Sequence, residues 1–310
     1  MTFTIVKPGL MTTVQDLGRP QAAASGVTPG GAMDRFAHIS ANLLVGNDRS
    51  AATLECTITG PSLVADVACV VAVAGANLEP MIDGRPMPMW TGVALAAGQT
   101  LEFGVRRSGA RAYIAVAGGF AADRWLGSMS TNLLVGRGGM HGRSVRRGDA
   151  IATGPAAWAE GGLTLPPALR PDYAERSLRV LPGPQAGRMP AGSWRKLVSA
   201  PYVLSASSNR MGYRLEGPTL EAPGQELLSF HLVPGAIQLP SGGRPILLMA
   251  DHQTAGGYPV IAVVVSASMP IAAQLVPGDE LRFEEVGVEE ALAMRAAQRA
   301  ALDSLMTLSM

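Results

Sequence analysis

The chain reads as a mainly β protein made of two similar domains in tandem, and three observations carry that expectation. Its 310 residues exceed what one hydrophobic core usually serves. Short apolar runs are broken throughout by turn residues, and 37 glycines with 23 prolines leave little room for long helices. A set of short motifs also occurs twice, in the same order. Gly60-Pro61-Ser62-Leu63 returns as Gly217-Pro218-Thr219-Leu220. Gly75-Ala76 followed by Gly84-Arg85-Pro86 returns as Gly235-Ala236 followed by Gly243-Arg244-Pro245. The stretch from Ala97 to Phe103 returns as the stretch from Pro277 to Phe283. Three echoes in order mark two related halves, 1–154 and 177–310, joined by a proline-rich linker at 155–176. The cleft between such halves is a natural place for a site.

Taken in order, the elements are as follows. Met33, Phe36, Ala37, Ser40, Leu43 and Leu44 recur at helical spacing, which predicts a helix over 32–45, ended by Gly46-Asn47. Strands are predicted at 68–74, 112–117, 178–181, 227–232, 246–249, 261–265 and 280–283, each a short aliphatic run between turn residues. A closing helix is predicted over 288–305, with Glu289 and Glu290 at its start and Arg295 and Arg299 further on, as the helix dipole favours.

The formal net charge of +1 carries no electrostatic footprint for nucleic acid or an anionic membrane. Only Lys7 and Lys196 are lysines, and neither follows a phosphate-cradling G-x-x-x-x-G pattern or sits in the Met-Lys-Met-like setting of a biotin carrier. Cys56 and Cys69 are too few and too scattered for a disulfide framework or a zinc site, and read as buried thiols. The four histidines have no ligand-like partners at close spacing, so no protein metal site is expected. The first residues carry no apolar signal-peptide core, and no apolar run is long enough to span a bilayer, so a cytoplasmic protein is expected.

The densest polar segment is Met249 to Pro259, between two apolar runs. If it continues a strand, Asp251 and Gln253 share one face and His252 points away. A carboxylate beside an amide suits a substrate amide or ureido group, and Asp251 suits a general base. The alternative is a turn carboxylate bonding nearby amides. Residue type ranks His252 as a structural histidine rather than a catalyst. Thr254 adds a hydroxyl. Gly256 and Gly257 let backbone approach a ligand, or merely end a strand, and Tyr258 offers a phenol. Gln238 lies in the second half of the repeat, where the first half has Leu78 and Glu79, so the two halves are chemically unequal. Asn209 and Arg210 offer a guanidinium fork for a carboxylate, or one that bonds backbone carbonyls. Asp16 and Arg19 are expected to pair across a turn. The stretch from Gly127 to Thr131 resembles an anion-binding turn, with no general base of its own for a nucleophilic serine. Arg137, Arg143, Arg146 and Arg147 form a solvated or partner-facing loop.

Several segments combine into a recognisable whole: the stretch from Pro8 to Arg19, Gly30-Gly31-Ala32-Met33-Asp34, the stretch from Ala41 to Asn47, the stretch from Gly127 to Thr131, Ser208-Asn209-Arg210-Met211-Gly212, the stretch from Gly235 to Pro240, and D-H-Q-T-A-G-G-Y-P from Asp251. Together they resemble the allophanate hydrolase subunit 2 family, also called the biotin-dependent carboxyltransferase family. The resemblance implies two tandem cyclophilin-like β-barrel domains with a few helices. It implies a subunit of an ATP-dependent 5-oxoprolinase assembly, a hydrolase opening the cyclic amide of 5-oxoproline to glutamate. The partners implied are a second cyclophilin-like chain of the B type and a lactam-hydrolase chain of the A type, with ATP bound through a partner. It turns the balance at Asp251 towards a catalytic role, with Asn209, Arg210, Gln238, Gln253, Thr254, Gly256, Gly257 and Tyr258 as substrate contacts. It leaves two alternatives: a urea- or allophanate-type carboxyltransferase using biotin, and a non-catalytic antagonist of a sporulation-kinase inhibitor. Ser268 stands where many relatives carry an acid.

Overall fold

In Thr2–Lys7 the side chains alternate, so Phe3 and Ile5 are buried while Thr4 and Val6 face out. This pattern recurs through a computed structural model that describes residues 1–155, 161–222 and 227–307. The linker expected at 155–176 includes residues 156–160, which lie outside the described residues. The chain divides into one unit of Met1–Arg19, Gly30–Pro171 and Gln298–Met310 and a second of Pro20–Pro29 and Asp172–Ala297.

The first unit holds two antiparallel sheets. One runs in the order Ala150–Ala152, Thr2–Lys7, Ser62–Ala65, Thr100–Phe103, Pro80–Ile82, Arg85–Pro86. The other runs Met11–Gln15, Thr53–Thr57, Ser108–Val116, Cys69–Asn77, Gly92–Leu95. Phe3, Ile5, Leu63 and Leu101 from the first sheet meet Val14, Leu54, Val71, Val73 and Ile114 from the second in one fully buried cluster. The helix Arg35–Leu44 packs against Cys69–Asn77 and Ser108–Val116. It starts three residues later than its spacing predicts. The Asp34 side chain caps it by accepting from the Ala37 amide at 2.9 Å, and the Met33 amide is drawn to Glu55 instead.

The second unit is a closed seven-strand barrel: Ser177–Pro182, Val260–Val264, Ala236–Gln238, Ile246–Leu248, Gly212–Glu216, Tyr202–Leu204, Glu280–Glu285. The last strand returns to the first in parallel, Ser177 opposite Arg282. Closure removes the exposed edges that short strands would otherwise present. The mainly β class thus holds. The expected strand at 227–232 is only Phe230–His231, paired with Ala255–Gly256 in a small separate ribbon.

The repeated motifs have a conformational basis. Gly75 and Gly235 both adopt positive φ, at 91° and 87°. Each lies hard against backbone of an adjoining strand: a Cβ on Gly75 would run into the Arg111 carbonyl, and one on Gly235 would lie 2.9 Å from the Val264 carbonyl oxygen. The pairs Gly84/Gly243 and Gly98/Gly278 also share positive φ, although of these four only Gly243 is crowded by backbone, at the Leu220 carbonyl. Three of the echoed glycine pairs thus share a left-handed backbone conformation that disfavours other residues.

His38 sits inside the first unit, with Nδ1 2.9 Å from Thr53 Oγ1 and Nε2 3.5 Å from Asn42 Nδ2. Burial pushes its imidazole down to about 4 from the ordinary 6.5. The unfolded chain therefore takes up a proton before the folded one does. Stability contributed by keeping His38 neutral is intact above pH 6.5 and falls as pH drops towards 4, a loss of about 3 kcal/mol. Urea unfolding across that window should show this slope in the native chain and a much flatter one in His38→Gln. An equal slope in both would rule His38 out as its source.

Candidate functional site

The ladder between Gly212–Glu216 and Ile246–Leu248 ends at Gly212 opposite Leu248. Beyond it both chains continue as loops that remain zipped. The Met249 amide donates to the Met211 carbonyl at 3.1 Å, and the Asp251 amide to the Arg210 carbonyl at 2.8 Å. Asn209 sets the first loop, its Oδ1 accepting from the Met211 amide at 2.8 Å. This places Arg210 and Asp251 side by side, although they are 41 residues apart in sequence.

Arg210 Nε donates to Asp251 Oδ2 at 2.8 Å and Nη2 to Oδ1 at 3.2 Å, a two-pronged ion pair. The side chains are only 7% and 16% exposed, so neither charge is fully hydrated and each needs the other. The fork expected to meet a substrate carboxylate thus already holds an internal one. Each Asp251 oxygen can still accept a further hydrogen bond, because a carboxylate offers about four lone-pair positions.

Residues 250–254 form turns and bends rather than a strand, which corrects the expectation that Asp251 and Gln253 share a strand face. The chain turns at His252, whose amide donates to the Met249 carbonyl at 3.2 Å, so Asp251 meets Arg210 while Gln253 turns to Gln238. Gln253 Nε2 donates to Gln238 Oε1 at 3.0 Å. Gln238 is buried, and its Nε2 has no hydrogen-bond partner among the described residues. A buried donor in that condition is costly to the fold and chemically ready for an acceptor.

His252 is buried as well. Its Nδ1 lies 2.7 Å from the Gln253 carbonyl, which can only accept, so Nδ1 carries the proton and Nε2 the lone pair. Nε2 has no partner among the described residues. Burial holds this imidazole below its ordinary range, against the raising pull of the Gln253 carbonyl. Its inward nitrogen is the polar group there that residue type alone does not single out.

Thr254 leads into the Ala255–Gly256 strand, its carbonyl accepting from the Leu232 amide at 3.0 Å. A Cβ on Gly256 would lie 3.0 Å from Gln238 Nε2 and one on Gly257 3.0 Å from the Leu227 carbonyl oxygen, so both glycines are sites of close approach. Tyr258 is half-exposed. The expected residues of this unit therefore form an Arg–Asp pair beyond the Leu248 end of the Ile246–Leu248 strand, and a Gln–Gln pair with a glycine-lined ribbon where Gln238 pairs with Ile246 at its other end. Ser268 is buried, and its hydroxyl accepts from the Arg179 amide at 3.1 Å.

In the first unit the expected anion-binding turn does bind an anion, the side chain of Asp16. Its Oδ1 accepts from the Ser128 and Ser130 hydroxyls, both at 2.6 Å, and from the Gly18 amide at 2.8 Å, while Oδ2 accepts from the Met129 amide at 2.6 Å. Burial by itself would raise this carboxyl; the two serine hydroxyls, aided by the two amides, outweigh it and hold the group below its ordinary range. Arg19, fully buried, donates to the Ser130 and Trp125 carbonyls and lies 4.9 Å over the Trp125 ring. Cys56 is buried and its thiol is pushed far up by burial; Cys69 is raised to about 11. Neither is a thiolate nucleophile. Among the described residues no three His, Cys, Asp or Glu side chains gather as metal ligands, and no helix is long and apolar enough to cross a membrane.

The carboxyltransferase domain, subdomain A and B, family model matches residues 25–285. The C subunit of 5-oxoprolinase from Escherichia coli (strain K12) is 39% identical over 308 residues, covering 97% of this chain and 96% of that protein. Its namesake from Haemophilus influenzae is 34% identical over 298 residues, covering 94% of each. Among solved structures, Kluyveromyces lactis urea carboxylase matches with a TM-score of 0.91 at 27% identity, over 98% of this chain but 29% of that one. The chain therefore spans less than a third of that larger enzyme.

Asp251→Asn keeps the shape but removes the charge, leaving the Arg210 guanidinium poorly hydrated and unmatched. A urea melt should show a loss of about 2 kcal/mol, the scale of a hydrogen-bonded charge pair. An unchanged midpoint would mean that the pair contributes nothing to the fold.

Proposed function

The chain belongs to the carboxyltransferase domain, subdomain A and B, family, and on that premise we propose that it works as a subunit of an ATP-dependent 5-oxoprolinase assembly. In that assembly it opens the lactam of 5-oxoproline to glutamate together with partner chains. The observation that carries this reading is the end-to-end match to two proteins named as 5-oxoprolinase C subunits, nearly complete in both directions.

The proposed site spans the Arg210–Asp251 pair and the Gln238–Gln253 pair, joined by the 251–253 turn. The substrate is a five-membered lactam bearing a carboxylate. Arg210, held flat by Asp251, offers the carboxylate a cation. Gln238 Nε2 offers a donor for the lactam carbonyl, and Gln253 fixes that amide by occupying its oxygen. Asp251 is the proposed catalytic residue, its remaining lone pairs positioned for a substrate N–H or a proton from water. Asn209 shapes the loop that carries Arg210. Thr254, Gly256 and Gly257 let the backbone come close, and Tyr258 forms the half-exposed rim. A lactam resists hydrolysis, and ATP, bound through a partner chain, supplies the activation of its carbonyl. The proposed setting is the cytoplasm, with a cyclophilin-like chain of the B type and a lactam-hydrolase chain of the A type as partners.

A second reading is biotin-dependent carboxyl transfer to urea or a related amide. It draws on the likeness to urea carboxylase over almost the whole of this chain. The ureido ring of biotin presents N–H donors beside a carbonyl, and the Gln238–Gln253 pair with Asp251 offers matching groups. Those residues would hold the ring, which carries the carboxyl group.

Reconstitution decides between the two readings. This chain, mixed with the purified lactam-hydrolase and B-type chains of the same organism, ATP and 5-oxoproline, should form glutamate only when all components are present. Glutamate formation at the same rate without this chain would refute the first reading. ATP-dependent carboxylation of urea with a biotinylated carrier would establish the second.

A further inference from the structure

Between the strands Ser108–Val116 and Ala150–Ala152 the first unit carries a long excursion without regular strands. Isolated bridges nonetheless knit it: Asp123 to Gly139, Asn132 to Arg137 and Met140 to Arg143. At its base Ser128 and Ser130 grip the buried Asp16 carboxylate. At its tip Asn132 Oδ1 accepts from the Leu134 and Val135 amides at 3.1 and 3.2 Å, which turns three consecutive aliphatic side chains outward. Leu133, Leu134 and Val135 are all exposed, Leu134 to 73%. A loop so firmly held, yet spending its tip on apolar side chains in water, is shaped for contact.

The charges along the excursion indicate what it contacts. Asp123 is engaged by His141 at 2.8 Å, and Asp149 by Arg143 at 2.7 Å. The exposed side chains of Arg124, Arg137, Arg146 and Arg147 have no ion-pair partner among the described residues. The excursion that carries the apolar tip therefore presents more exposed positive than negative side chains and calls for acidic groups opposite. Trp125 is taken up beneath the Arg19 guanidinium rather than presented for base stacking, which disfavours a nucleic acid.

We infer that this excursion is the surface on which the chain docks a partner polypeptide, its Leu133–Leu134–Val135 tip seated in an apolar socket rimmed by Asp and Glu. The inference rests on the reading of the chain as one member of an assembly, and it names the face that meets the next member.

The test uses the full-length chain, with the purified lactam-hydrolase and B-type chains of the proposed assembly as probes, and measures binding by surface plasmon resonance. Leu134→Asp should weaken binding to one of the two partners at least tenfold. Arg146→Glu with Arg147→Glu should slow association and flatten its salt dependence. Leu10→Asp, at another exposed leucine of the same unit, should bind like the native chain. Melting temperatures confirm that each variant is folded. Native affinity in folded Leu134→Asp overturns the inference, as does failure of the native chain to bind either partner. Loss of binding to phosphatidylglycerol vesicles, with binding to both partner chains intact, overturns it in favour of a membrane surface. If Leu134→Asp fails to assemble and the native assembly makes no glutamate, the docking surface stands and the proposed reaction falls. If glutamate forms and Leu134→Asp assembles normally, the reaction stands and the surface falls.

Discussion

A guanidinium and a carboxylate that have lost most of their water can stay charged only by facing one another. Arg210 and Asp251 meet that condition through two hydrogen bonds, and the rest of the candidate site follows from it. The pair locks the 209–211 loop to the 249–251 loop beyond the end of their shared ladder. With Asp251 anchored, the chain must turn at His252, and the turn sends Gln253 towards Gln238 instead of along a strand face. The glycine pair then allows the ribbon with Phe230–His231 to close against that amide. Without the ion pair only the backbone hydrogen bonds from the Met249 and Asp251 amides would hold the two loops together.

The first unit answers a similar problem differently. There a buried carboxylate, Asp16, is surrounded by hydroxyls and amides. Four donors stabilise its charge well enough to outweigh burial, so it behaves as a permanent anion around which the 127–131 turn is wrapped. In the second unit the carboxylate instead faces a cation, in a two-pronged pair whose side chains are both largely buried. The chemical inequality of the halves, visible in Gln238 against Leu78 and Glu79, extends to how each handles its buried acid.

Much of the fold was legible in the chain itself. Three of the repeated glycine pairs share positive φ in both halves, a backbone that few other residues adopt. Short aliphatic runs located the barrel strands Ser177–Pro182, Ile246–Leu248, Val260–Val264 and Glu280–Glu285, but not Tyr202–Leu204, Gly212–Glu216 or Ala236–Gln238, which are too short or too polar to stand out. The site was legible as a set of residue types but not as a set of partners. Arg210 and Asp251 each read as available to a ligand, since nothing local shows a pairing across 41 residues. The alternation argument failed at Asp251 and Gln253 because a strand period was carried into a turn. His252 reads as structural in sequence because the direction of an imidazole nitrogen depends on a carbonyl only the fold puts in place. The Asp16 knot was half visible: the turn announced an anion, and the anion came from the same chain.

If Arg210 and Asp251 act as one unit at the reaction centre, their contributions to turnover are not additive. The decisive measurement is kcat/KM for 5-oxoproline in the reconstituted assembly, with Arg210→Ala, Asp251→Ala and the double variant, at a temperature where all are folded. Each single variant should lose roughly 100-fold or more, and the double variant should be no worse than about the poorer single one. Losses that multiply, or a double variant that turns over 5-oxoproline as well as the native assembly, would contradict the account.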